Sequence, residues 1–276
     1  MKIIRYESPT GETGYAAFHP NGTATKLKGS IFDSPELTGE PAPVARILAP
    51  LLPPAIFCIG LNYRKHAAET NAPLPQFPVV FCKNPASVQD PDGVIEIPRW
   101  LASSQVDYEC ELAIVIGKKA KNVPRAKATE FILGYTAAND VSARDWQREG
   151  GGGQWCKGKS FDTFCPLGPC IVTTDEMKRP NSLQISTIVN GIVLQDWHTD
   201  DMIFDVPTIV EFLSASQTLL PGTIILTGTP HGVGMARTPQ RWLEPGDFVT
   251  VSIEGIGKIS NTVTEEVVEG ASSFHL

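Results

Sequence analysis

Apolar runs of four to eight residues recur along the chain, each closed by glycine, proline or a polar turn residue. The segments 55–60, 79–83, 94–97, 111–116, 132–138, 169–173, 184–189, 223–227 and 248–253 have strand length and are too short for buried helices. Helical spacing is confined to 62–70, 124–131 and 207–217, and Pro207 near the first turn of the last suits a helix start. Residues 1–50 read as short strands broken at Pro9-Thr10-Gly11 and His19-Pro20-Asn21-Gly22. They predict a small N-terminal β-rich unit, ending in a proline-rich stretch, ahead of a larger domain over 51–276. Many strands, few helices and turns such as Asn190-Gly191 predict an α+β, β-dominated fold with a mixed sheet.

Composition narrows the picture. The 276 residues are 42% hydrophobic and 19% charged, enough apolar material for a sizeable core. A net charge of −7 with no basic run argues against nucleic acid as a partner. The longest apolar stretches are strand-length, which argues against a membrane span. The N-terminus reads as a strand and not as a targeting peptide, so a cytoplasmic protein is expected. Cys58, Cys82, Cys110, Cys156, Cys165 and Cys170 show neither a CxxC pair nor zinc spacing. Those at 58, 82 and 110 fall in apolar strand patterns, where a thiol acts as a small hydrophobe in a reducing compartment.

The segment with most chemical content is Asp107-Tyr108-Glu109-Cys110-Glu111, running into the apolar 112–116. Residues two apart on a strand share a face, so Asp107, Glu109 and Glu111 are expected to point the same way. Carboxylates crowded at the start of a core strand repel one another and lose hydration unless a cation joins them. Asp140, at the end of the apolar run 134–139, offers a third ligand. All-oxygen ligands suit a hard divalent cation, Mg²⁺ first. The same alternation also fits an exposed edge strand whose acids face water.

Gly153 to Ser160 spells G-x-x-x-x-G-K-S, the phosphate-loop pattern. A phosphate loop follows a buried strand and opens a helix. Here a polar, helix-like stretch precedes it and the prolines at 166 and 169 follow, so nucleotide binding is not expected and Lys159 needs another role.

His66 and Glu69, three apart in a short helix, share a face; a carboxylate beside an imidazole fixes the tautomer a general base needs, although such pairs also occur as surface contacts. Arg144, close after Asp140, could clamp a substrate carboxylate or serve as counter-ion to the acids. The strand end 226–234, Leu-Thr-Gly-Thr-Pro-His-Gly-Val-Gly, presents backbone N–H groups and the Thr229 hydroxyl, or is simply a tight turn.

These motifs occur in a recognisable order. Gly60-Leu-Asn-Tyr with His66 and Glu69, Asp107 to Leu112, Asn139 to Gln147, Gly158 to Pro169, Thr227 to Gly234 and Pro245-Gly-Asp together resemble the fumarylacetoacetate hydrolase superfamily, closest to its domain-containing protein 2 subgroup. The likeness spans roughly 55–265. It implies a mixed β-sandwich roll and a homodimer. It further implies Mg²⁺ (or Mn²⁺ or Ca²⁺) held by Glu109, Glu111 and Asp140. By the same likeness Lys159, Arg144, Gln147 and Thr229 face the substrate, and His66 with Glu69 sits on a lid.

The implied substrates are small 2-oxo or β-diketo acids. Hydrolysis of a C–C bond in an acylpyruvate or fumarylacetoacetate-type substrate through a stabilised enolate is the first expectation. Oxaloacetate tautomerisation or decarboxylation is the alternative, and a catalytically weak 2-oxo-acid-binding protein is another. The helix and prolines of 62–76 and the glycines at 150–153 further predict a loosely held lid, with His66 away from the cation until a ligand orders it.

Overall fold

The structure is a computed structural model and describes residues 1–274. A twelve-stranded sheet and a five-stranded sheet enclose the main core. In the larger sheet the central strand Cys110–Ile116 lies between Ile132–Asn139 and Ile224–Leu226. Ile224–Leu226 pairs in parallel with Ile56–Gly60, which pairs antiparallel with the edge strand Val79–Lys83. On the other side Ile132–Asn139 pairs with Cys165–Thr173, which pairs with Lys2–Glu7, so the N-terminal strands continue the same sheet. The second sheet runs Ile192–His198, Gln184–Val189, Phe248–Ile253, Gly257–Glu265, Val94–Ile97. Parallel and antiparallel neighbours coexist, giving the β-dominated mixed architecture that the chain pattern predicts.

Every residue of Cys110–Ile116 is buried, and so is most of Ile132–Asn139. Central strands covered on both faces read as continuous apolar runs, which is why both are visible in the sequence. Leu112, Ile114, Val251, Ile253 and Ile259 pack between the two sheets. Their burial is worth about 1.5–3 kcal/mol per side chain relative to exposure.

Helices are few: α1 (Arg64–Glu69), α2 (Arg144–Arg148), α3 (Cys156–Lys159) and α4 (Val206–Ser214). In α4 the Asp205 carboxylate accepts the Thr208 N–H and Pro207 occupies the first turn, and the helix stops three residues before the expected end at 217. Residues Arg125–Phe131 form a 3₁₀ helix instead of an α-helix. The strands Ile192–His198 and Gly257–Glu265 are additions to the sequence reading, because their exposed faces carry mixed residues that blur the apolar signal. Cys58 and Cys110 are buried as expected, whereas Cys82 points outward from its edge strand and is exposed.

Candidate active site and metal centre

Register brings the acids together. Cys110 lies opposite Asn139 and Glu111 opposite Ala138, so the next pair outward is Glu109 with Asp140. That junction is held by Asp140 N–H to the Glu109 carbonyl at 2.8 Å and Glu109 N–H to Asn139 Oδ1 at 3.0 Å. Glu109, Glu111 and Asp140 are all buried, and one oxygen from each lies within 4.8 Å of the others. The exposed-edge alternative therefore does not hold.

Asp107 does not join them. The strand breaks after it, and its carboxylate accepts the N–H groups of Tyr108, Gly234 and Met235 at 2.9, 2.7 and 3.1 Å and bonds Arg144. It ties the 234–235 turn to the site, which corrects the shared face expected for residues 107, 109 and 111.

Three buried cations thread the acids. Lys159 Nζ reaches Glu109 Oε2 and Asp140 Oδ2, both at 2.7 Å. Arg144 Nη2 lies 2.6 Å from Glu109 Oε1, its Nε 2.9 Å from Asp107 Oδ2, and its Nη1 donates to Gln147 Oε1 at 3.0 Å. Lys83, absent from the sequence reading, donates to Asp140 Oδ1 at 2.6 Å and to the Val141 carbonyl at 3.1 Å. The available signal was alternation: Lys83 shares a strand face with buried Phe81.

Burial would lower the Lys159 pKa, but Asp140 and Glu109 outweigh it and raise it, so the side chain is a fixed ammonium and not a base. Burial would raise Glu109, but Arg144 and Lys159 hold it well below the usual carboxylate range. Glu111 goes the other way: burial, then the like charges of Asp140 and Glu109, push it up. Its Oε2 accepts the Gly228 N–H at 2.7 Å, and Gly228 sits at φ +101°, a conformation that favours glycine. Four buried carboxylates thus face three buried cations, and the imbalance falls on Glu111. A divalent cation would more than offset this single negative charge and leave one positive charge for an anionic ligand, so the residues fit a hard metal ion held by Glu109, Glu111 and Asp140.

The cluster opens into a cavity of about 230 Å³ lined by His66, Arg144, Gln147, Arg148, Lys159 and Thr229. His66 Nδ1 lies 2.6 Å from Glu69 Oε1, and Glu69 Oε2 accepts the Gly232 N–H at 2.8 Å. His66 is 7% exposed and lines the same cavity as Glu109 and Glu111. The reason is anchoring of α1. Arg64 donates to the Asp201 and Met202 carbonyls, Asn62 brackets Phe204, and Glu69 ties the helix end to the glycine-rich turn.

Arg144 has most of its donors engaged by protein groups, in keeping with a counter-ion. The Thr229 hydroxyl donates to the Cys110 carbonyl and accepts from Gln195 Nε2 at 2.8 Å. Gln195 is a second residue the sequence did not reveal. Buried, it also accepts the Cys110 N–H between two of the candidate ligands.

The phosphate-loop spelling has no phosphate-loop context. Helix α2 precedes it, the single turn α3 lies inside it, and the strand Cys165–Thr173 follows. Lys159→Ala is expected to cause a large loss of any turnover of the 2-oxo acids that the sequence resemblance implies, and the wild-type chain should give no saturable ATP signal by calorimetry. ATP binding that Lys159→Ala removes, with turnover intact, would contradict this.

The description "Fumarylacetoacetate (FAA) hydrolase C-terminal" matches residues 55–264, and "Rv2993c-like, N-terminal" matches residues 1–54. Oxaloacetate tautomerase fahd2, mitochondrial, of Xenopus laevis is 47% identical over 218 residues, covering 79% of this chain and 68% of the relative. Protein Rv2993c of Mycobacterium tuberculosis is 44% identical over 273 residues, covering 96% and 99%. The crystal structure of 5-carboxymethyl-2-hydroxymuconate delta-isomerase from Mycobacterium smegmatis superposes with a TM-score of 0.84 at 41% identity, covering 96% of this chain and all of that one. No helix among the described residues is long and apolar enough to cross a membrane. The chain belongs to the fumarylacetoacetate hydrolase family.

Proposed function

We propose that this chain is an oxaloacetate keto–enol tautomerase, moving a proton between C3 and the C2 oxygen of a small 2-oxo acid without breaking a C–C bond. The observation that carries the reading is the His66–Glu69 pair, held on the cavity wall that the acid cluster shares. Support for tautomerisation over C–C hydrolysis or decarboxylation comes from relatives named for a tautomerase and an isomerase at 47% and 41% identity.

A divalent cation held by Glu109, Glu111 and Asp140, with Mg²⁺ the first choice, would supply positive charge at the 2-oxo oxygen as electron density moves onto it. The chain's own groups do the rest. Glu69 engages His66 Nδ1, leaving Nε2 as the ring nitrogen that accepts the C3 proton and returns it to oxygen. Lys159, kept protonated by its carboxylate neighbours, adds fixed positive charge at the cavity floor. The same reading includes a homodimer, measurable by sedimentation.

Exchange of the oxaloacetate C3 protons in D₂O, followed by NMR with Mg²⁺ present, tests the proposal. The chain should accelerate exchange well beyond the metal alone, with oxaloacetate conserved. Pyruvate accumulating as fast as exchange would replace tautomerisation by decarboxylation.

A further inference from the structure

We propose that Arg148 binds the far carboxylate of a 2-oxo diacid and so sets a preference for diacids over 2-oxo monoacids, an assignment that rests on the 2-oxo-acid reading of the site. Three cationic side chains line the cavity: Arg144, Arg148 and Lys159. Two are buried and bound to carboxylates, Lys159 to Glu109 and Asp140, Arg144 to Asp107 and Glu109. Arg148 is exposed and forms no ion pair or side-chain hydrogen bond among the described residues. Its guanidinium therefore keeps all its donors for a ligand, in the fork geometry that suits a carboxylate.

Placement follows from the helix. Arg144 and Arg148 open and close α2, four residues apart, and so lie on one face. The rise between them is about 6 Å at 1.5 Å per residue, the reach of a short carbon chain. Arg144 marks the inner end beside the acid cluster and Arg148 the mouth. Part of the cavity wall is apolar, formed by Phe81 and Trp155, whose rings meet edge-on at 5.4 Å, and Thr70, Gln147 and Thr229 add uncharged polar groups. These groups can donate hydrogen bonds but carry no charge, so a diacid with its 2-oxo head at the acid cluster meets, among the described residues lining the cavity, its one uncommitted guanidinium at Arg148. A monoacid would leave that cation in water and gain nothing from it.

Calorimetry on the full chain loaded with Mn²⁺ tests this with two unreactive probes. Oxalate mimics the 2-oxo-acid head alone, and N-oxalylglycine adds a far carboxylate. Arg148→Gln should weaken N-oxalylglycine binding about tenfold, the scale of one charge-assisted hydrogen bond, and leave oxalate within about twofold. Arg148→Glu should weaken the diacid further, and Arg148→Lys should recover part of the loss. Equal effects on both probes, or none on either, would overturn the assignment. A wild-type chain that binds neither probe would overturn the 2-oxo-acid reading itself, and the assignment with it. Because Arg148 is exposed, these variants are expected to melt like the wild type, which circular dichroism checks.

Discussion

Glu109→Ala is expected to abolish divalent-metal binding and turnover together, and to destabilise the fold. The carboxylate is 5% exposed and accepts from Arg144 at one oxygen and from Lys159 at the other. Removing one partner of a buried ion pair typically costs about 3–5 kcal/mol, because the remaining charge stays buried. Here the cost should fall at the lower end, since Arg144 retains Asp107 and Lys159 retains Asp140. Glu109→Gln separates the two effects. It keeps the shape and an acceptor oxygen, so it should melt closer to the wild type while its Mn²⁺ affinity falls. A folded Glu109→Gln protein with unchanged Mn²⁺ affinity would remove this residue from the metal site.

His66→Ala should keep metal and oxalate binding and lose most turnover. General-base catalysis contributes about 10²- to 10⁴-fold, so a loss in that range is expected. The fold should tolerate the change, because α1 remains anchored by Arg64 and by Glu69 on Gly232. Glu69→Gln should cost less, since the amide can still accept from the imidazole while losing the charge that stabilises the imidazolium. A smaller effect of His66→Ala than of Glu69→Gln, or full activity in His66→Ala, would assign the proton transfer elsewhere.

The parts of the site legible in the sequence are those whose spacing matches a local period. Glu109 and Glu111 are two apart at the start of a strand, and His66 and Glu69 are three apart on a helix. Asp140 was visible because it ends a long apolar strand. What escaped depends on pairing across the fold. Lys83 reaches Asp140 across 57 residues, and Gln195 reaches Cys110 across 85. Each looks like an ordinary polar residue in its own segment.

The two roles open for Arg144 were distinguishable only by counting its donors, most of which go to protein acceptors. The anchors of α1 are hidden from the sequence for a similar reason, because they lie at 201–204 and 232, far along the chain. The core strands were legible because both their faces are buried, and the half-exposed Ile192–His198 and Gly257–Glu265 were not.

As proposed, this site moves a proton on a 2-oxo acid and leaves the carbon skeleton intact. The most direct test supplies the purified chain and Mg²⁺ with enol-oxaloacetate and, separately, with acetylpyruvate and fumarylpyruvate, recording enol absorbance and product release in parallel. Fast, His66-dependent loss of the enol signal to keto-oxaloacetate is expected, with hydrolysis of the acylpyruvates slower by orders of magnitude. Acylpyruvate cleavage outpacing enol decay would contradict the proposal and make the chain a C–C hydrolase.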